Sequence, residues 1–220
     1  MESNTPSSPS SEVSNSKPTT SPPIKKRNTI YLMGQVGREM IPVIAGILIA
    51  LFINNWQKSY RDEKLLESTL QSLSEEFDKN AENIQSYLPR QSHFLDTLRL
   101  YHDDTTLSIL DIATKTSGMG SPEIYATNWQ LSVNNNSMRL LNFQTINLLS
   151  QIESKYQELR DQDRFLYPIL YGPPVFQTGE EGVAYRRGME LWLNSYMGNE
   201  KELLALYEEF QQIVQNREYH

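Results

Sequence analysis

The sequence predicts an all-α protein, one N-terminal transmembrane helix followed by an antiparallel helical bundle. Three observations carry that expectation. Residues 40–53, MIPVIAGILIALFI, form an unbroken apolar run without a single charge. Beyond it, apolar residues recur at intervals of three and four with acids and lysines between them, the spacing of bundle and coiled-coil helices. Nowhere does polar/apolar alternation persist between hairpin turns, so no sheet is indicated.

The chain opens on a leader in which sixteen of the first twenty-four residues are Ser, Thr or Pro. Such a stretch buries too little apolar surface to offset the entropy of ordering it, so residues 1–29 are expected to be a disordered tail. The apolar run of fourteen residues gives about 21 Å of helix, short of a bilayer core of about 30 Å. Asn54, Asn55 and Trp56 extend it to about 26 Å and end it on an indole suited to the interface, while Arg38 and Lys58 can snorkel outward. Competing assignments fit less well. A soluble core helix would show a polar face, a cleaved signal would need small residues after the run, and an interfacial helix would be amphipathic. Residues 30–56 are therefore read as a juxtamembrane segment and span.

Orientation follows from the flanks. Lys17, Lys25, Lys26, Arg27 and Arg38 precede the span, and only Lys58, Arg61 and Lys64 follow it closely. Residues 1–38 carry a net charge of +3, and residues 57–220 carry −9. Positive side chains stay on the cytoplasmic side, which predicts a cytoplasmic N-terminus and an extracytoplasmic, periplasmic domain over 57–220 at the inner membrane. The bilayer is thus the first expected partner. The acidic balance argues against nucleic acid, and the absence of cysteine excludes disulfides, thiolate zinc sites and a cysteine nucleophile.

Past the span, Leu66, Leu70, Leu73, Phe77, Ala81, Ile84 and Leu88 share one helical stripe over about 61–88. Pro89 removes a backbone donor and is expected to break or kink that helix. A further segment with Phe94, Leu95, Leu98 and Tyr101 should run to about Asp103. Ser121 and Pro122 read as an N-cap and first helical residue ahead of Ile124, Tyr125 and Trp129, with a turn over 130–136. Asn142 should cap a long helix carrying Ile146, Leu149, Ile152, Tyr156 and Leu159, bent at Pro168 and ended by Gly172, Pro173 and Pro174. Thr178 with Glu181, and Asn199 with Glu202, have capping-box spacing, and Gly198 reads as the stop between two final helices. The expected core is Leu66, Leu70, Leu73, Phe77, Ile84, Leu98, Trp129, Leu149, Ile152, Tyr156, Leu159, Trp192, Leu203, Tyr207 and Phe210.

Two stretches also carry a resemblance. Gly37 and Glu39, the run from Gly46 to Leu51, Asn54-Asn55-Trp56, and Glu76 with Asn80 resemble the opening of a bacterial family of single-span membrane proteins, a domain of unknown function. Residues 128–156 resemble that family's later tryptophan-bearing helix, turn and tyrosine-ended helix. Pro42, Arg38 and Phe52 depart from the family's usual choices. The resemblance implies membrane residence and helical architecture, and it brings no catalytic residue.

Chemistry-bearing clusters are sparse. His102, Asp103 and Asp104 adjoin, but three consecutive residues cannot face one metal from a helix. His93 and His220 stand apart. Glu180–Glu181 and Glu208–Glu209 read as solvated faces, and no nucleophile elbow, P-loop, dinucleotide fingerprint or zincin motif occurs. No catalytic, cofactor or metal site is expected, and the chain is not expected to be an enzyme. Gly46 and Ala50 would let two spans approach closely. Tyr125, Trp129, Trp192, Tyr196 and Tyr207 form either core or a ligand pocket. The leading expectation is a protein-interaction or scaffold module with a protein partner or a second copy. The alternative is a ligand-sensing bundle coupled to a separate transducer.

Overall fold

A computed structural model describes residues 29–134 and 137–216, with side chains from residue 40 onward. The Ser/Pro-rich leader and His220 lie outside the described residues. Among the described residues, five α-helices and two short 3-10 turns make up the regular structure, and no strand occurs. The helices are α1 (Thr29–Leu100), α2 (Ile109–Thr116), α3 (Thr127–Asn134), α4 (Phe143–Leu170) and α5 (Gly179–Asn216). The chain divides into two units, Met1–Asn55 and Trp56–His220.

In the first unit the described side chains belong to the apolar run. Residues 40–61 are exposed throughout, with Phe52 at 73% and Ile41 at 67%. Among the described residues, α1 is the one helix long and apolar enough to cross a membrane.

The second unit has two core clusters. Leu66, Leu70, Leu73, Phe77 and Ile84 of α1 meet Leu149, Ile152 and Leu159 of α4 and Leu203, Tyr207 and Phe210 of α5. Phe94, Leu95 and Leu98 meet Ile109 and Ile112 of α2 and Met189, Leu193 and Met197 of α5. Leu88 and Trp192 pack against both clusters and join them. Burying side chains of this size contributes about 1.5–3 kcal/mol each.

Polar bonds run alongside. From α1 to α5, Gln211 Nε2 donates to Asp78 Oδ1 (2.8 Å), Asn80 Nδ2 to the Tyr207 hydroxyl (3.4 Å), Gln91 Nε2 to Glu200 Oε1 (2.9 Å), and Arg99 Nε to Glu190 Oε1 (3.1 Å). Between α4 and α5, Lys155 pairs with Glu202 (2.7 Å) and Asn199 Nδ2 donates to Gln162 Oε1 (3.1 Å).

Several local expectations are corrected. The break at Pro89 is absent, because α1 continues to Leu100. Pro89 and Gln85 are both exposed, so the carbonyl deprived of its donor meets water. The stripe buried on either side, from Ile84 to Phe94 and Leu98, outweighs a proline cost of about 3 kcal/mol. No helix opens at Ser121–Pro122; residues 121–126 are irregular and α3 begins at Thr127. The reason is a side chain on α1. Asn80 accepts from Tyr125 N–H (2.8 Å) and donates to Tyr125 C=O (2.7 Å), taking both groups that a helical turn would use.

Four residues earlier on the same face, Glu76 caps α3 from outside, accepting from the N–H groups of Asn128 (2.7 Å) and Trp129 (3.4 Å). Negative charge at a helix N-terminus is favourable, and two otherwise orphaned donors are satisfied. The turn expected over 130–136 is displaced, since α3 reaches Asn134; residues 135 and 136 lie outside the described residues.

At the C-terminal end one helix replaces two. Gly198 lies within α5, whose buried positions run through Leu193, Tyr196, Met197, Glu200 and Leu203 without interruption. Asn199 and Glu202 are occupied by Gln162 and Lys155 of α4 and do not form a capping box. At Thr178 the carbonyl accepts from Gly182 N–H (3.2 Å), and the reciprocal side-chain bonds of a box with Glu181 are not among those the described residues form. Asn142 does cap α4, its side chain accepting from Thr145 N–H (2.9 Å). Pro168 sits inside α4, which ends at Leu170 ahead of the Pro173–Phe176 turn. The short α2, not anticipated, is opened by a capping box between Ser108 and Asp111.

An added Cβ at Gly198 would meet nothing within 4 Å. Gly198→Ala should therefore stabilise the protein by about 0.5–1 kcal/mol in urea unfolding of the detergent-solubilised chain, whereas a left-handed helix end would make it destabilising. Glu76→Ala should cost about 2 kcal/mol in the same measurement, since it strands the α3 donors.

Candidate functional site

One cavity of the helical unit combines apolar walls with a half-buried carboxylate. It holds about 330 Å³ and lies among α1, the segment after α2, and the second half of α4. Phe94 of α1, Met119, and Leu166 of α4 supply buried apolar surface. Tyr167 and Tyr171, one turn apart, stack at 5.6 Å with 20° between their planes and are 60% and 79% exposed.

The segment after α2 is held by its backbone. Ser117, Gly118 and Gly120 have φ of 63°, 70° and 70°. Arg90 Nε donates to Gly118 C=O (2.9 Å), and its Nη2 donates to Ser117 C=O. At Gly120 an added Cβ would stand 2.6 Å from the Tyr87 ring, so both the conformation and the close approach require glycine.

Asp163 brings a carboxylate to the wall. Its Oδ1 accepts from the Ser121 hydroxyl (3.3 Å), which also bonds the Tyr196 hydroxyl (3.0 Å). Among the described residues no Lys, Arg or His pairs with Asp163; its neighbour Arg164 pairs with Asp161 instead (3.3 Å). Burial raises the Asp163 pKa above the ordinary carboxyl range, opposed by the Tyr196 and Ser121 hydroxyls. Tyr196 is fully buried and stacked on Trp192 at 4.8 Å, and burial pushes its phenol far up, so it remains a neutral donor.

Deeper still, Glu200 is fully buried and accepts from Gln91. Among the described residues, its Oε2 and the Gln91 Oε1 have no hydrogen-bond partner. Two partnerless acceptors call for a donor, and a protonated Glu200 supplies one. Burial accordingly pushes Glu200 up to about 7, reinforced by the Asp163 charge and opposed by the Gln91 bond.

The residues singled out from the sequence lie elsewhere. Tyr196 and Tyr207 are core, Tyr207 stacking on Phe77 at 4.7 Å. Trp129 and Trp192 are partly buried against the core, and the Tyr125 hydroxyl donates to Glu123 (2.6 Å). None of these five lines the cavity beside Asp163.

His102 bonds Arg99 C=O (3.0 Å) and Asp103 (2.9 Å), Asp103 also meets Arg187, and Asp104 accepts from Thr106 N–H (2.7 Å). The cluster is thus divided among separate local contacts. Among the described residues no group of three or more His, Asp or Glu side chains is placed to hold a metal ion. Glu180, Glu181, Glu208 and Glu209 are exposed. Asp163, Ser121, Tyr167 and Tyr171 were not anticipated as site residues. The one sequence signal for them is the Tyr-x-x-x-Tyr pair flanking Pro168 at the end of a helix.

No family model, curated protein or solved structure matches the chain, so the likeness to single-span membrane proteins rests on its motif residues.

The Glu200 shift has a definite sign. A carboxyl whose folded pKa is raised binds more protons folded than unfolded between its ordinary value of 4.5 and about 7, so stability falls as pH rises through that window. Urea unfolding of the wild-type chain should show a loss on the order of 2 kcal/mol between pH 5 and pH 8, and Glu200→Gln should remove most of that slope.

Proposed function

We infer that this chain is a membrane-anchored helical domain serving as a protein-interaction or scaffold module, with a lipid-embedded span and a protein partner or second copy as its other contact. Its N-terminus is cytoplasmic, and its acidic domain stands in the periplasm as a single-pass protein of the inner membrane. The observation that carries the anchor is the exposure of every residue in the apolar run 40–53, a surface that a soluble protein would have to hide. The excess of Lys and Arg ahead of the span supports the orientation.

Support for an antiparallel bundle comes from the α1–α5 bonds, whose partners rise from 78 to 99 on one helix while they fall from 211 to 190 on the other. For a partner surface, the helical unit exposes Phe143 at 84%, Leu191 at 75% and Phe165 at 65%. In the span, Gly46 has open space where a Cβ would stand, as close approach of a second helix requires. The sequence offers no catalytic motif, which favours a non-enzymatic role. The resemblance of Glu76, Asn80 and the span residues to a family of single-span membrane proteins agrees with this reading. The cavity beside Asp163 favours a second reading, in which the domain senses a ligand and passes the signal to a separate transducer.

Alkaline extraction tests the anchor, and in-membrane crosslinking tests the partner. Wild-type protein should stay with the pellet and crosslink into one defined complex. Leu48→Arg, at a cost of about 2.5–3.5 kcal/mol for a central arginine, should shift protein to the supernatant. Recovery of wild-type chain in the aqueous fraction would remove the anchor, and a purely monomeric species would remove the scaffold. Reporter fusions at Ser16 and His220 read the orientation directly.

A further inference from the structure

We propose that the cavity beside Asp163 is a binding site for an organic cation, a primary or quaternary ammonium carrying an apolar or aromatic body. The inference rests on the ligand-bearing reading of this domain and stands apart from the scaffold reading.

Three observations converge on that ligand class. The first is charge. Asp163 lines the cavity with no cationic side chain paired to it among the described residues, and it is met instead by neutral hydroxyls, those of Ser121 and Tyr196. A carboxylate partly withdrawn from water without a counter-charge is electrostatically unfavourable, and an ammonium arriving within about 4 Å removes that penalty. The raised pKa of this group, caused first by burial, is the same imbalance expressed as proton affinity.

The second observation is the aromatic pair. Tyr167 and Tyr171 stack on one another beside the cavity, with most of their surface unused by the protein. Ring faces attract ammonium groups, and quaternary ammonium recognition relies on such faces. In this chain cations already sit over tyrosines elsewhere, Lys79 over Tyr125 at 4.4 Å and Lys115 over Tyr101 at 4.8 Å, whereas among the described residues no Lys or Arg covers Tyr167 or Tyr171.

The third is shape. About 330 Å³ bounded by Phe94, Met119 and Leu166 is within the range of small-ligand pockets and suits an apolar body behind a charged head. The Ser121 bridge fixes the head-group end, since its hydroxyl links the Asp163 carboxylate to the rigid, buried Tyr196. An anion would meet Asp163 unfavourably, and a fully apolar ligand would leave it desolvated and unpaired.

Calorimetric titration of the full-length chain in detergent with phenethylammonium, its neutral isostere 2-phenylethanol and phenylacetate tests the assignment. Saturable binding of phenethylammonium is expected, with phenylacetate not bound. Asp163→Asn should weaken the ammonium at least tenfold, and Asp161→Asn, at a neighbouring exposed carboxylate, should leave it unchanged. Should Asp163→Asn fold poorly, Tyr171→Leu serves instead, because that ring is mostly in solvent. It should weaken the cation several-fold while leaving 2-phenylethanol unaffected. Equal ammonium affinity in wild type and Asp163→Asn would overturn the site. Binding of the neutral or anionic probe in preference to the cation would overturn the ligand class while leaving a ligand-sensing domain in place. No binding of any probe would overturn both.

Discussion

The buried stripe on α1 from Leu66 to Leu98 is the constraint on which the helical unit depends. It supplies side chains to both core clusters, and α2, α4 and α5 bury their own apolar faces in the same two clusters. Because the stripe is continuous, the helix beneath it has to be continuous as well. A proline on the solvent side is therefore accommodated, since interrupting the helix would strand apolar surface on one side or the other. Gly198 in α5 obeys the same logic, with Met197 and Glu200 buried beside it and Leu203 one turn on.

Within this apolar frame, a few buried polar side chains decide what sits opposite what. Asn80 bonds the backbone of Tyr125 just before α3, and Glu76 bonds the first-turn N–H groups of α3 itself. Gln91 and Glu200 meet between α1 and α5, and Arg186 reaches from α5 to the turn after α1. Apolar contact alone tolerates sliding by a helical turn, but a carboxylate aimed at two N–H groups does not. The polar residues therefore fix the register of elements that the core merely holds together. The cavity beside Asp163 is a by-product of that register. Its wall after α2 is tied to Arg90, and its carboxylate is tied through Ser121 to the core tyrosine.

What could be read from the sequence was local in origin. The three-and-four spacing from Leu66 to Leu88, the Asn142 cap and the Gly172-Pro173-Pro174 stop each depend on neighbours within a turn or two, and each is present in the structure. Failures came where a distant residue intervened. Ser121 has the form of a helix cap but is engaged by Asp163 and Tyr196. Tyr125 would be helical if Asn80, 45 positions earlier, did not bond both its backbone groups. Gly198 and Asn199 carry the signature of a helix junction, yet tertiary burial on both sides overrides it. The Ser108–Asp111 box was legible in principle, since its S-x-x-D spacing is local. The site was the least legible part, because Asp163 is distinguished from Asp161 only by burial, and burial depends on the fold.

Arg186 shows how such a framework can leave its surface free to drift. Its buried guanidinium donates to the main-chain carbonyls of Asp104 and Leu107, gripping the turn by atoms that every residue type possesses. Side-chain identity at Leu107 is irrelevant to that grip, so substitutions there can accumulate without altering the path of the chain. Lysine at 186 would not be an equivalent replacement, since a single ammonium lacks the planar fork that spans two carbonyls. Over evolutionary time the arginine should outlast the turn that it holds.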